Sequence, residues 1–249
     1  MNLHQSLRSI VPFLFLILCS SFAFAEEAVV PATDTKQPLV EVEVYQDYLA
    51  PYKERRENHG SYVTLGYESL ELKNYISAID AKTYGDMFGT APIALMYLGV
   101  DYKYNFALGS LAFGIQYGKG NVTGEDSGEE RTMDVTKTGV GFKFTLDMIM
   151  NEPIVAPYIG LNIWKMTIAE TNPTTSFSAE TQMGMNYTVG LLLQLDWLDY
   201  ETAKNTTFNW GLENTFIDVY ATKYAKTNAT DDANTETDMI YGGALRLEF

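Results

Sequence analysis

The chain is poor in most of the residues that carry chemistry. It has one cysteine, Cys19, and two histidines, His4 and His59. A single thiol makes no disulfide framework, and two histidines without cysteine partners offer no metal-ligand spacing. Basic residues are scarce too: 17 Lys and Arg stand against 32 Asp and Glu, a formal net charge of −15. So acidic a chain has little with which to meet phosphates, and a nucleic-acid partner is excluded. Long apolar runs are missing beyond the N terminus, so the body of the chain holds no candidate transmembrane helix. A membrane role would therefore require a closed barrel, the other architecture that satisfies every backbone polar group in lipid.

The N terminus has the layout of a secretory signal. One basic residue, Arg8, precedes an apolar stretch from Ile10 to Leu18, and Ala23-Phe24-Ala25 supplies the small residues a signal peptidase needs before Glu26-Glu27. Roughly ten apolar residues fall short of the about twenty that span a hydrocarbon core. Cleavage after Ala25 is the expectation, removing both Cys19 and His4. Lipoprotein processing at Cys19 is the alternative, disfavoured by the large Leu18 before it.

From Ser61 onward, apolar side chains recur at every second position in runs of about ten residues, the period of a strand. The runs are 62–72, 93–104, 109–118, 138–150, 155–164, 183–195, 207–220 and 239–249. In the second, Ala94, Met96, Leu98, Val100 and Tyr102 oppose Tyr97, Gly99, Asp101 and Lys103; in the seventh, Phe208, Trp210, Leu212 and Phe216 oppose Asn209, Gly211, Glu213 and Thr215. The face opposite the apolar one mixes Gly, Ala, Thr and Asn with charges. That suits the narrow interior of an eight-stranded barrel better than the exterior of a sandwich. Asn214 faces lipid in this register, which marks the seventh run as irregular. Aromatic residues gather near strand ends (Tyr102, Tyr104, Tyr117, Trp164, Phe208, Trp210, Phe249), as at two membrane interfaces. The connections alternate in length. Those after Tyr104 and Met150 are short, and the third on that side, 196–206, is longer and has room for a helical turn. The other four, 73–92, 119–137, 165–182 and 221–238, are long, polar and acidic, the asymmetry of outer-membrane barrels.

These readings give an all-β fold, an eight-stranded antiparallel up-and-down transmembrane β-barrel over 61–249. It follows a signal peptide over 1–25 and a periplasmic segment over 26–60. That segment is expected to lie against the barrel mouth, with a plug or an extra strand as alternatives.

The C-terminal Tyr241-Gly242-Gly243-Ala244-Leu245-Arg246-Leu247-Glu248-Phe249 resembles the signal read by the barrel-assembly machinery, with Tyr241, Gly243, Leu245, Leu247 and Phe249 in its alternating positions. Pro157-Tyr158-Ile159-Gly160-Leu161 resembles the fifth strand of small barrels of the OmpA-type transmembrane-domain superfamily, and the resemblance covers about 61–249. It implies residence in the bacterial outer membrane, with its lipid and the assembly machinery as partners and no cofactor. Members that anchor the envelope carry a peptidoglycan-binding domain after the barrel; the chain stops at Phe249, so such anchoring is not implied.

Enzymes that resemble this size class rely on a histidine near the outer rim. His59 precedes the first strand and belongs on the opposite, periplasmic side, so neither a Ser-His nor an Asp-His arrangement is available there. The remaining constellation is the set of inward charges. Arg246 is expected beside Glu68 and Glu213, since closure brings the first strand next to the eighth, and Lys143 contributes a further cation. An ion-pair network filling the lumen is one reading; a gate for a narrow ion path is the other. The functional expectation is a non-enzymatic barrel with a structural or surface-contact role through its four acidic loops. A narrow channel for ions or small solutes is the alternative.

Overall fold

The computed structural model describes residues 49–126, 128–227 and 232–249; the expected signal peptide and most of the segment after it lie outside the described residues. A short helix, α1 (Tyr52–Arg55), leads into β1 (His59–Leu70). A second short helix, α2 (Tyr84–Phe88), stands before β2 (Ile93–Phe106), β3 (Gly109–Asp126), β4 (Glu129–Thr145) and β5 (Val155–Thr171). Then come β6 (Ser176–Glu180), β7 (Gly184–Gln194), a 3-10 turn (Asp196–Leu198), α3 (Tyr200–Trp210), β8 (Asn214–Tyr224) and β9 (Ile240–Glu248). All pairings are antiparallel. The order β4-β3-β2-β1-β9-β8-β7-β5 is closed by β4 against β5, making an eight-stranded barrel of the outer-membrane type. The ninth strand, β6, stands outside this ring: it pairs with Thr167–Thr171 of β5, above the point where β7 leaves that strand.

The alternation explains why the ring closes this way round. Leu98, Ile115, Ile159 and Val189 point outward and are more than half exposed, while Asp101, Lys103, Asp218 and Arg246 are buried inside. Apolar surface turned outward and charge turned inward is stable only where the surroundings are hydrocarbon.

β3, β4 and β5 are 18, 17 and 17 residues long, whereas a tilted strand crosses a bilayer in about 9–11. Their surplus stands clear of the membrane on the long-loop side. There the pattern reverses: Val122, Met133, Val135, Met166 and Ile168 now point inward and are buried, and polar side chains face out. The segments expected as loops at 119–137 and 165–182 are therefore largely strand, an ordinary water-facing sheet continuing the membrane one. With Leu70, Leu72, Tyr75, Tyr84, Met87 and Phe88 they form an apolar core in the barrel's outer end.

The seventh run needs correction. Residues 200–210 form α3, and β8 starts only at Asn214. Phe208, Trp210 and Leu212 thus belong to no strand, and the true strand has the opposite parity: Asn214, Phe216, Asp218 and Tyr220 point inward and are buried. The irregular Asn214 was the sign of this. Its side chain accepts from Gln194 at 2.6 Å and donates to Glu248 at 2.9 Å. Trp164, expected at an interface, is instead buried in the lumen.

Four inward aromatic rings are seated against glycines directly opposite in the ladder. The pairs are Tyr97 on Gly66, Trp164 on Gly184, Tyr158 on Gly190 and Tyr220 on Gly242. A Cβ at any of the four glycines would stand 2.3–2.4 Å from a ring atom, so only glycine fits.

Candidate functional site

The chemistry-bearing side chains converge in the lumen. At mid-height Arg246 on β9 pairs with Asp218 on β8. The Tyr158 hydroxyl donates to both Asp218 oxygens at 2.9 and 3.1 Å, and the guanidinium lies over the rings of Tyr62 and Tyr158 at 5.2 and 5.1 Å. Beside it Lys143 on β4 meets Asp101 on β2 at 2.6 Å. One tier toward the loops, Lys137 meets Glu68 at 3.0 Å, and Tyr220 and Tyr224 donate to the same carboxylate. Toward the short-turn end, Lys103 lies between Glu248 and Asp147, 3.0 Å from the latter. Each buried cation has a buried anion beside it, which burial of charge in a narrow lumen demands.

Both mouths are capped. At the short-turn end α1 enters the barrel: Tyr52 is 1% exposed, and its hydroxyl donates to Glu248 and accepts from Lys103, each at 2.6 Å. Arg56 follows it in, 3.1 Å from Asp147 and bonded to Asn105 at 2.6 Å. The described part of the N-terminal segment is thus inside the mouth. At the other end, 71–92 folds over the opening. Thr83 and Asp86 cap α2 reciprocally, and Tyr84, Met87 and Phe88 fill the outer core. A polar latch ties this cap down. Glu170, fully buried, accepts from Ser77 at 2.7 Å and Tyr75 at 3.2 Å, and Arg131 bridges Glu170 and Asp80. The Arg131 guanidinium holds the Asp80 carboxyl below the usual carboxylate range, while burial pushes the Tyr75 and Tyr84 hydroxyls up.

The expected cluster of Arg246, Glu68 and Glu213 does not form. Arg246 faces Thr64 on β1, whereas Glu68 faces Gly242, one tier further out. Glu213 precedes β8 and pairs with Arg55 of the inner cap. Asp218 takes its place, a residue hidden by the shifted parity of the seventh run. Lys137, assigned by sequence to a loop, belongs to the lumen; its strand period continues unbroken from Lys143, which was the available signal. Tyr241 and Leu245 lie on the outward face of β9, and Phe249, just past its end, is exposed. His59 is exposed at the start of β1, its Nδ1 2.5 Å from the Tyr102 hydroxyl. Among the described residues no group of His, Cys, Asp or Glu could hold a metal ion.

A closed wall, apolar outward, around a paired-charge lumen defines a β-barrel of the outer-membrane type. No family model and no curated protein matches the chain. Among solved structures it is similar to Neisserial surface protein A, at 10% identity over 77% of this chain and 95% of that one, with a TM-score of 0.40. It is also similar to Ail, the attachment invasion locus protein of Yersinia pestis. The complex of Ail with the heparin analogue sucrose octasulfate matches at 12% identity over 77% and 97% of the two chains, TM-score 0.40. Ail alone matches over the same shares at 12% identity, TM-score 0.38.

Proposed function

We propose that the protein is a non-enzymatic barrel of the bacterial outer membrane that acts through the sheet and loops it raises on the long-loop side. The observation that carries this reading is the filled lumen. Paired charges occupy each tier from Asp147 to Glu170, α1 stops one mouth and the 71–92 cap the other. Such an interior holds the wall in register and gives an ion no continuous wet path. The channel alternative would need both caps and several buried pairs to part together. What remains accessible is the raised part. The β3–β4 tip carries Glu125, Glu129 and Glu130, all exposed, and every residue of β6 is exposed.

The test has two arms. Reconstituted in a planar bilayer, the barrel should show no discrete conductance steps. Cells carrying a version with the β3–β4 tip shortened should lose surface adhesion, while the gel shift of the folded barrel on heating persists. Stepwise conductance that disappears on replacing Lys143 or Arg246 would establish the channel instead.

A further inference from the structure

The excursion between β7 and β8 carries a group of side chains the barrel does not use. Trp197, Leu198, Phe208 and Trp210 are 63%, 63%, 48% and 79% exposed, and no residue of α3 is buried. A helix of 11 residues is below the about 12–15 at which isolated helices become marginally stable, and its middle is Thr and Asn rather than strong helix formers. Both ends are well capped. Asp199 accepts from the Thr202 N–H at 3.1 Å and its hydroxyl at 2.8 Å, and Gly211 closes the other end in the left-handed conformation, φ 67°. Its ends are thus satisfied, and what the helix lacks is a surface for its aromatic side chains.

That surface is identified by where the excursion leaves and returns. The Leu195 N–H donates to the Thr215 carbonyl at 2.8 Å, and the Thr215 N–H to Asp196 at 3.0 Å. The excursion thus leaves and rejoins the wall just past the outward pair Leu193 and Ile217 at the ends of β7 and β8, and Trp197 shares a cleft with Leu49, Arg55 and Ile154 beside the inner cap. Exposed aromatic side chains next to the rim of a lipid-facing belt stand where tryptophan favours the headgroup region. The charges nearby are mostly acidic: Asp196, Asp199, Glu201, Glu213 and Glu152, against Lys204 and Arg55. Attraction to an anionic surface is thereby excluded and apolar insertion left as the binding force.

We propose that the 196–210 excursion lies in the headgroup layer of the short-turn leaflet, with Trp197 and Trp210 inserted, as a membrane-surface anchor built into a barrel turn. This rests on the reading that the barrel spans a membrane. The anchor also reaches the inner cap, because the Tyr200 hydroxyl accepts the Leu49 N–H at 2.7 Å.

The chain's own tryptophans test it. Trp164 is shut in the lumen and serves as a constant background, so wild type is compared with W197F, W210F and the double variant in neutral phosphatidylcholine vesicles. The expected result is blue-shifted emission from both residues. Phosphatidylcholine brominated near the headgroup end of its acyl chains should remove most of that emission, and aqueous iodide little of it. Iodide quenching like that of free tryptophan would place the excursion in water and overturn the proposal. Shielding from both quenchers would mean that protein, such as the segment before Leu49, covers it, and would overturn it equally. A control with Ile115→Trp, at the middle of the outward face, separates this failure from failure of the membrane reading. In a membrane-spanning barrel that probe is quenched by phosphatidylcholine brominated deep in its acyl chains whatever α3 does.

Discussion

Replacing Asp218 with alanine is the sharpest single test of the lumen. Asp218 and Arg246 are 0% and 1% exposed at the side chain, so the change strands a buried guanidinium. Removing one member of a buried pair costs about 3–5 kcal/mol. The Tyr158 hydroxyl loses both of its acceptors at once, which adds about 1 kcal/mol. A swing of Arg246 toward Asp101 would hold the total near the lower figure. Replacing both partners together, as Asp218→Leu with Arg246→Met, removes the charge along with its counter-charge and should return stability to within about 1 kcal/mol of wild type. Glu213→Ala is the internal control. Its partner Arg55 sits in the cap, and the Glu213 side chain is 29% exposed, so its loss should cost less than about 1 kcal/mol. Urea unfolding in lipid vesicles, followed by tryptophan emission and by mobility on unheated gels, measures all four proteins. If Asp218→Ala falls within about 1 kcal/mol of wild type, or if the double variant is destabilised as much as Asp218→Ala, Arg246 is not held by Asp218.

Tyr52→Ala should release the inner cap. It removes a buried ring and two hydrogen bonds, at about 3–5 kcal/mol, and should expose Lys103 to a water-borne amine reagent, read by mass spectrometry. The outer latch should depend on pH. The Asp80 pKa is depressed by its bond to Arg131, so its contribution is complete above the unfolded carboxylate value and is lost as pH falls through the lower folded one. Hydrogen exchange over 71–92 should therefore quicken only in acid, and Asp80→Asn should remove that dependence. Gly242→Ala would set a Cβ 2.4 Å from the Tyr220 ring and should destabilise the β8–β9 seam by about 1–3 kcal/mol, seen as a lower temperature for the gel shift.

The membrane part of the wall was legible because one force wrote it. Lipid outside and a narrow lumen inside impose a strict period of two, and in β2, β3, β7 and β9 nothing interferes with it. The seventh run misled because Phe208, Trp210 and Leu212 also fall at every second position, although the first two end α3 and Leu212 lies just past its cap, on a turn rather than a wall. Two aromatic residues and a leucine are too few to tell these periods apart. The raised parts of β3, β4 and β5 were missed for a different reason. Above the bilayer apolar residues turn inward, so the sense of alternation flips at Lys137 and Lys119, and a reader following the outward face sees only polar residues. The ion pairs needed more than parity. Glu68 and Arg246 both point inward, but the stagger of closure sets them on different tiers, and that offset is a property of the ring.

The four rings seated on glycines have a consequence for how the wall is put together. A strand sliding by one residue turns every side chain to the wrong side and is rejected by the solvent. A slide by two keeps inward and outward correct, so hydrophobicity is blind to it. The seats are not blind to it, because such a slide drives Tyr97 against Thr64 or Glu68 instead of Gly66, and Tyr220 against Ile240's or Ala244's place in the ladder instead of Gly242. They work as detents: the ladder can ratchet past wrong alignments and drops into place where ring and notch coincide, so an error in threading is felt while it can still be undone.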